Sequence, residues 1–520
     1  MPPFPPPPHR PPHRPARRWL ATLATSAALL LAGCGTAVVN PVTGQTERTV
    51  MDEQAEIAEG RKAHAQVLAE TPAYAHPQLQ AYVSQLGQKL VANSHRANLS
   101  WTFTVLDSPE VNAFALPGGY VYVTRGILAY LDNEAELAGV IGHEIGHVTA
   151  RHGAQRATRA QRAGVGVMAA VLLGAVAEAV GVGGATDLAA RASQGVAAGY
   201  VASYSREQEL QADQLGAEYL ARSHYNPRNM VDVIGVLKDQ ERYAADQARA
   251  EGKPAPSGAN WLSSHPSNDR RLADITEIAG RYSGSYGDDG RARYLQAIEG
   301  VVFGDSVAQG VLRNGHFVHP GLDIGLALPT GWQLRNEPST LWLINAAGDA
   351  GLLLRLAPAE AGSTHEAVVR QLFKPTESRA EPRTLGGLAA TAFSGQRRNA
   401  QGQAVPFRLT VATAPGGELL LLQPVSRDAA ALQRSAPAIA EAEASLHRLS
   451  AAERSAARPW VLASAAMPSG GWAALAPQTP FAPAQAPALL KLLNGQYGGG
   501  QSVPSPGQRV KLVRVQTAAP

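Results

Sequence analysis

A chain of 520 residues is long enough for two to four domains, and its composition, 45% hydrophobic and 6% aromatic, is that of a globular protein with loose linkers. The formal charge of +4 comes from Arg10, Arg14, Arg17 and Arg18, which precede every acid; the remainder is neutral, so charge gives no reason to expect nucleic acid as a partner. A single cysteine, Cys34, excludes a disulfide framework.

Residues 1–33 read as a signal segment. A Pro-rich extension runs to Ala16, then Arg17 and Arg18 precede the apolar run Trp19–Leu31, which is too short to span a bilayer. The run ends in Leu31-Ala32-Gly33-Cys34, which resembles a bacterial lipobox. That resemblance implies a lipid on Cys34 and, through it, a membrane partner. Gly35 in place of Asp points, by analogy with lipoprotein sorting, to the periplasm and the inner face of the outer membrane. Residues 34–50, with the turn-rich Asn40-Pro41-Val42-Thr43-Gly44, read as a tether.

A first domain is expected over 51–283. Apolar residues at helical spacing predict helices over 51–70 and 79–93 (Leu79, Tyr82, Val83, Leu86, Leu90). Alternation over 101–106, and a Pro117-Gly118-Gly119 turn between 111–116 and 121–124, predict strands. A helix follows, capped by Asp132 or Asn133 and reaching His152. The apolar run 163–177 stops at Glu178, short of a membrane span, and reads as a buried helix. Helices are expected over 204–220 and 230–243. A loop over 252–258 precedes Ser264-His265-Pro266 and a helix containing Arg271.

The helix over 133–152 carries His143-Glu144-Ile145-Gly146-His147, an H-E-x-x-H pattern. Residues four apart share a helix face, so both imidazoles can reach one metal ion, with Glu144 beside it to take a proton from water. A catalytic zinc usually has a third protein ligand, which cannot be cysteine here. Glu209 is the best candidate on pattern, with a solvated carboxylate the alternative; Asp213, one turn on, could brace a ligand histidine. Helix geometry turns His152 away from the metal face, which makes it structural.

Composition shifts after Ser283. Residues 305–450 read as a separate α+β accessory domain, with strands over 321–328, 341–344, 352–356, 407–412 and 419–422 and a closing helix over 428–449. Residues 451–520 read as a linker whose end, 489–515, weakly resembles half of a LysM-like module; that resemblance implies peptidoglycan contact.

The motifs together carry a wider resemblance. His143–His147 and Glu209-Leu210-Gln211-Ala212-Asp213 resemble the H-E-x-x-H and E-x-x-A-D pair of the gluzincin metallopeptidases related to HtpX and the CAAX prenyl proteases. Asn112-Ala113-Phe114-Ala115-Leu116-Pro117-Gly118-Gly119 and Ser264-His265-Pro266 are similar to motifs of the periplasmic lipoprotein branch that includes BepA and LoiP. The resemblance covers about residues 40–280. It implies a mainly helical zincin-type domain with a small sheet, one Zn²⁺ per chain on His143, His147 and Glu209, and Glu144 as general base. It implies an endopeptidase acting on misfolded or misassembled envelope proteins. Asp213 and Arg271 would support the ligands. Asn112, Ala113, Phe114 and Ala115 would form the edge strand that pairs with an extended substrate. His265 would lie over the site, either capping the open metal position or stabilising the oxyanion. Two departures stand out: the chain has no run long enough for the transmembrane helices of HtpX, and its C-terminal half shows no tetratricopeptide period. The rival readings are a non-proteolytic envelope scaffold or chaperone, against which the intact Glu144 argues, and a cell-wall-binding lipoprotein.

Overall fold

The computed structural model describes residues 36–159, 204–250, 252, 265, 269–313, 315–337, 340–399, 402–499 and 502–517. Cys34, the signal segment, the apolar run 163–177 and most of the loop 252–258 lie outside them. Among the described residues the chain is mixed α and β, and no helix is long and apolar enough to cross a membrane.

The tether expected at 34–50 is a short hairpin, β1 (Thr36–Val39) paired antiparallel with β2 (Thr46–Thr49). Asn40 opens the turn, its Oδ1 accepting from Val42 N at 2.9 Å. Helix α1 (Glu53–Glu70) is capped by Asp52, whose side chain accepts from Ala55 N. Helix α2 (Pro77–Val91) buries Leu79, Val83, Leu86 and Leu90, the stripe its spacing predicts. Strands β3 (Thr102–Leu106), β4 (Ala113–Leu116) and β5 (Tyr120–Thr124) form a sheet in the order β3-β5-β4, with β5 parallel to β3 and antiparallel to β4. The turn that reverses β4 into β5 needs positive φ at Gly118 (82°) and Gly119 (98°), which glycine adopts without strain. Helices α3 (Glu134–Thr149), α4 (Arg206–Arg222), α5 (Asn229–Ala250), α6 (Asp269–Gly280) and α7 (Arg291–Ala297) complete this part. All sixteen residues of α3 are buried, so it is the central element.

The second part has two antiparallel sheets. Strands β6 (Val311–Arg313), β7 (His316–His319), β8 (Ile324–Ala327) and β16 (His447–Arg448) form one, in the order β16-β8-β7-β6. The other runs β12-β13-β14-β15-β11-β10-β9, from β9 (Gln333–Glu337), β10 (Thr340–Ile344), β11 (Ala350–Leu356), β12 (Pro375–Leu385), β13 (Leu388–Arg398), β14 (Ala404–Thr413) and β15 (Leu419–Ser426). Alternation decides which helix each face meets. Phe393, Leu409, Val411 and Leu421 pack with Val368 and Val369 of α8 (His365–Phe373). Ala412, Leu420 and Leu422 pack with Ile439 and Ala442 of α9 (Ala429–Ala444).

Residues 451–520 were expected as a linker ending in a LysM-like segment over 489–515; β17 (Trp460–Ala466) pairs with β18 (Arg509–Val515), and α10 (Ala486–Leu493) packs beside them. Leu462, Phe481, Leu493 and Val513 belong to the same core as α2, α3 and α4. Lys511 is fully buried; its Nζ donates to Leu131 O at 2.5 Å and lies 3.2 Å from Asp132, just ahead of α3. The Ala- and Pro-rich composition concealed this unit, which has a small core of its own around Trp472, Leu475, Leu490 and Leu512 and shares the rest of its apolar contacts with the first part.

Candidate metal centre

Asn133 starts α3: its side chain accepts from Glu136 N at 2.8 Å, and Glu134 and Glu136 occupy the electropositive first turn. Ser205 starts α4 with a capping box closed by Gln208. The two helices cross at glycines. A Cβ on Gly146 would stand 2.8 Å from Ala212 O, and one on Gly216 would stand 3.1 Å from His143 N. Without side chains there, the backbones approach closely enough for Glu209 to reach both histidines of α3.

The Nε2 atoms of His143 and His147 lie 2.9 Å apart, and each is 3.5 Å from an oxygen of Glu209. His265 Nδ1 is 3.2 Å from His143 Nε2 and 3.1 Å from Glu209 Oε1. These four buried side chains offer ligand atoms that all fall within 4.8 Å of one another. Glu144 is buried beside them, with Oε1 3.5 Å from His265 Nε2.

The polarity of the surroundings shows what this cluster fits. Asp213 Oδ1 accepts from His143 Nδ1 at 2.8 Å, which keeps the proton there and leaves Nε2 with a lone pair. Burial disfavours the charge on Asp213, but Arg271 outweighs it and holds the carboxyl well below the usual range. Arg271 grips Asp213 with Nε (2.8 Å) and Nη2 (2.9 Å), approaches Glu209 at 2.9 Å, and donates to His265 O at 3.0 Å. Burial pushes Glu209 up to about 7, against the pull of His143 and Arg271, and lowers His265 to about 3. His147 is held well below the ordinary imidazole value, first by burial and then by His143. Imidazoles whose charge burial disfavours at His147 and His265, converging with His143 on a carboxylate that burial makes hard to ionise, suit a divalent cation, whose charge offsets that burial.

The structure brings together every residue expected in the cluster and places Arg271 and Asp213 behind it. Strand β4 carries Ala113, Phe114 and Ala115 at the edge of its sheet, with Asn112 just ahead of it; Phe114 stacks on Tyr122 at 4.6 Å. His152 lies off the metal face, as expected, and is not part of the cluster, but it touches His147 from behind. Helix α3 ends at Thr149, Arg151 takes a left-handed φ of 56°, and a new helical segment starts at 152. That break cancels the rotation of about 140° that five residues of continuous helix impose. His152 Nδ1 therefore sits 2.8 Å from His147 Nδ1. Tyr204 was missed. It precedes the Ser205 cap, and its ring stacks on His147 at 3.8 Å and 23°, with Arg156 4.0 Å above the tyrosine ring. Its only signal in the sequence is its place before a helix cap.

Fold and site together define a metallopeptidase domain of the H-E-x-x-H kind. Residues 77–279 match the model of peptidase family M48, and the chain carries a domain of that family. It is similar to the beta-barrel assembly-enhancing protease of Yersinia pestis, 27% identical over 64% of this chain and 71% of that one. The same-named protein of Escherichia coli is 31% identical over 41% of this chain and 42% of its own. The mitochondrial metalloendopeptidase OMA1 of Schizosaccharomyces pombe is 32% identical over 40% and 54%. The chain thus spans less than half of the Escherichia coli relative.

Proposed function

We propose that the protein is a zinc-dependent endopeptidase of the bacterial envelope, lipid-anchored through Cys34 to the inner face of the outer membrane and acting on misfolded or misassembled proteins. The observation that carries the reading is the convergence of His143, His147 and Glu209 beside the buried Glu144. The chain's similarity to proteases that enhance beta-barrel assembly supports a substrate of that kind. Zinc bound to those three residues supplies Lewis acidity toward water and a peptide carbonyl.

The remaining work falls to the chain. Glu144 takes the proton of the attacking water and hands it to the leaving amine. Asp213 and Arg271 keep His143 in the tautomer that presents Nε2. The edge of β4 offers backbone groups to an extended substrate, which selects unfolded segments over folded ones. His265 stands among the ligand atoms, which supports the capping role. Peptidoglycan contact by 489–515 would use its exposed residues, among them Lys491, Val503, Gln508, Arg509 and Arg514, since Val510 to Val513 are buried.

Glu144→Gln tests the reading. The variant is expected to retain zinc and fold while losing casein cleavage, because the proton shuttle alone is removed. Cleavage near the wild-type rate would overturn the mechanism.

A further inference from the structure

The two metal-facing histidines of α3 are braced differently. His143 leans on the carboxylate of Asp213, whereas His147 leans on a chain of neutral groups that ends in the N-terminal hairpin. His147 Nδ1 is 2.8 Å from His152 Nδ1, His152 Nε2 is 3.0 Å from Gln211 Oε1, and Asn40 Nδ2 donates to the same Gln211 oxygen at 3.0 Å.

We infer that the N-terminal hairpin sets the tautomer of His147 through the chain Asn40–Gln211–His152, making these three positioning residues for the metal site. It rests on the reading that His147 is a metal ligand.

The polarity can be followed link by link. Asn40 Oδ1 accepts from Val42 N at 2.9 Å and Thr43 N at 3.3 Å, so the oxygen of that amide faces its own turn. Its Nδ2 must then face outward, where one proton goes to Glu47 Oε1 at 2.9 Å and the other to Gln211. Gln211 therefore presents its oxygen, which demands a proton on His152 Nε2. A neutral imidazole protonated at Nε2 is bare at Nδ1 and can only accept there. The proton between the two imidazoles must sit on His147 Nδ1, and His147 Nε2 keeps its lone pair for the cluster. Every link permits one direction, and the direction originates in a turn 107 residues before the ligand. The hairpin has further attachments: Glu47 accepts from Gln155 as well as from Asn40, and Val50 N, independently of Asn40, donates to Thr158 Oγ1 at 2.9 Å.

Asn40→Asp tests this by reversing the chain. The substitution keeps the acceptor for the turn but replaces the donor by an oxygen. Gln211 must then turn its nitrogen toward one neighbour, and the preferred proton positions on His152 and His147 are no longer enforced. Zinc affinity is measured by competition with a chromophoric chelator, alongside the melting temperature of the metal-free protein. Expected is a loss of affinity on the order of ten- to a hundredfold for Asn40→Asp and for His152→Ala. The double variant should be no worse than His152→Ala alone, since both cut one chain. Equal zinc affinity in Asn40→Asp and wild type, with only the melting temperature lowered, overturns the inference, as do effects that simply add. Gln211→Met, which interrupts the chain without a charge, repeats the test if Asn40→Asp unfastens the hairpin; unchanged affinity there also overturns it. A wild-type protein that binds no zinc would instead sink the metal-site reading.

Discussion

Replacing Gly146 by Ala sets helix propensity against packing. Within a helix the change is favourable by about 0.8–1 kcal/mol. At Gly146, however, the new Cβ meets Ala212 O at 2.8 Å, Ala212 Cα at 3.1 Å and Leu215 Cβ at 3.3 Å. Two of these are backbone atoms of α4, which cannot rotate aside, so α3 and α4 must part by several tenths of an ångström. Overpacking of this kind costs about 1–3 kcal/mol. The net result is a loss of up to roughly 2 kcal/mol. Gly235, inside α5, has nothing within 4 Å of its Cβ position, so Gly235→Ala keeps only the favourable part. For a unit of 150–250 residues, 1 kcal/mol moves the melting temperature by about 2–4 °C. The two variants should therefore separate by roughly 2 to 12 °C, Gly235→Ala above wild type and Gly146→Ala at or below it. Zinc affinity should fall only in Gly146→Ala, because Ala212 stands between Glu209 and Asp213 on α4. Melting curves of the metal-free proteins and a chelator competition measure both. A Gly146→Ala protein as stabilised as Gly235→Ala would refute the close-crossing argument.

Three further outcomes are expected. Glu209→Gln replaces a charged oxygen by a neutral one and should weaken zinc binding; unchanged affinity would point to another ligand. His265→Ala should raise cleavage of a generic peptide substrate if the imidazole caps the cluster, and a fall of roughly two to three orders of magnitude in turnover would assign it to the oxyanion instead. Cys34→Ser should move the protein from the membrane to the soluble fraction of lysed cells, and full retention in the membrane fraction counts against the lipid anchor.

Much of the site was legible in the chain. The spacing of His143 and His147 places both on one face of any helix, and Glu209 with Asp213 does the same on another, since these are local periodicities. The Pro-Gly-Gly turn and the stripe of α2 were legible for the same reason. The long hairpin β12–β13 was not: most of β12 is exposed, and Glu-Ser-Arg-Ala-Glu-Pro-Arg carries no alternation of apolar residues to read. The strands found around it, β11, β14 and β15, are those with buried apolar faces.

What tertiary structure alone decided is of another kind. His152 reaches His147 because the helix breaks at Arg151, and nothing in the residue types at 149–152 announces a left-handed turn there. Asn40 reads as a turn residue in a tether; only the docking of its hairpin against α4 joins it to Gln211. Lys511 looks like any strand lysine until β18 packs beside the start of α3. The sequence determines which residues share a face, because that depends on backbone period alone. Which faces meet depends on contacts between segments hundreds of residues apart, and these are settled by burial summed over the whole chain.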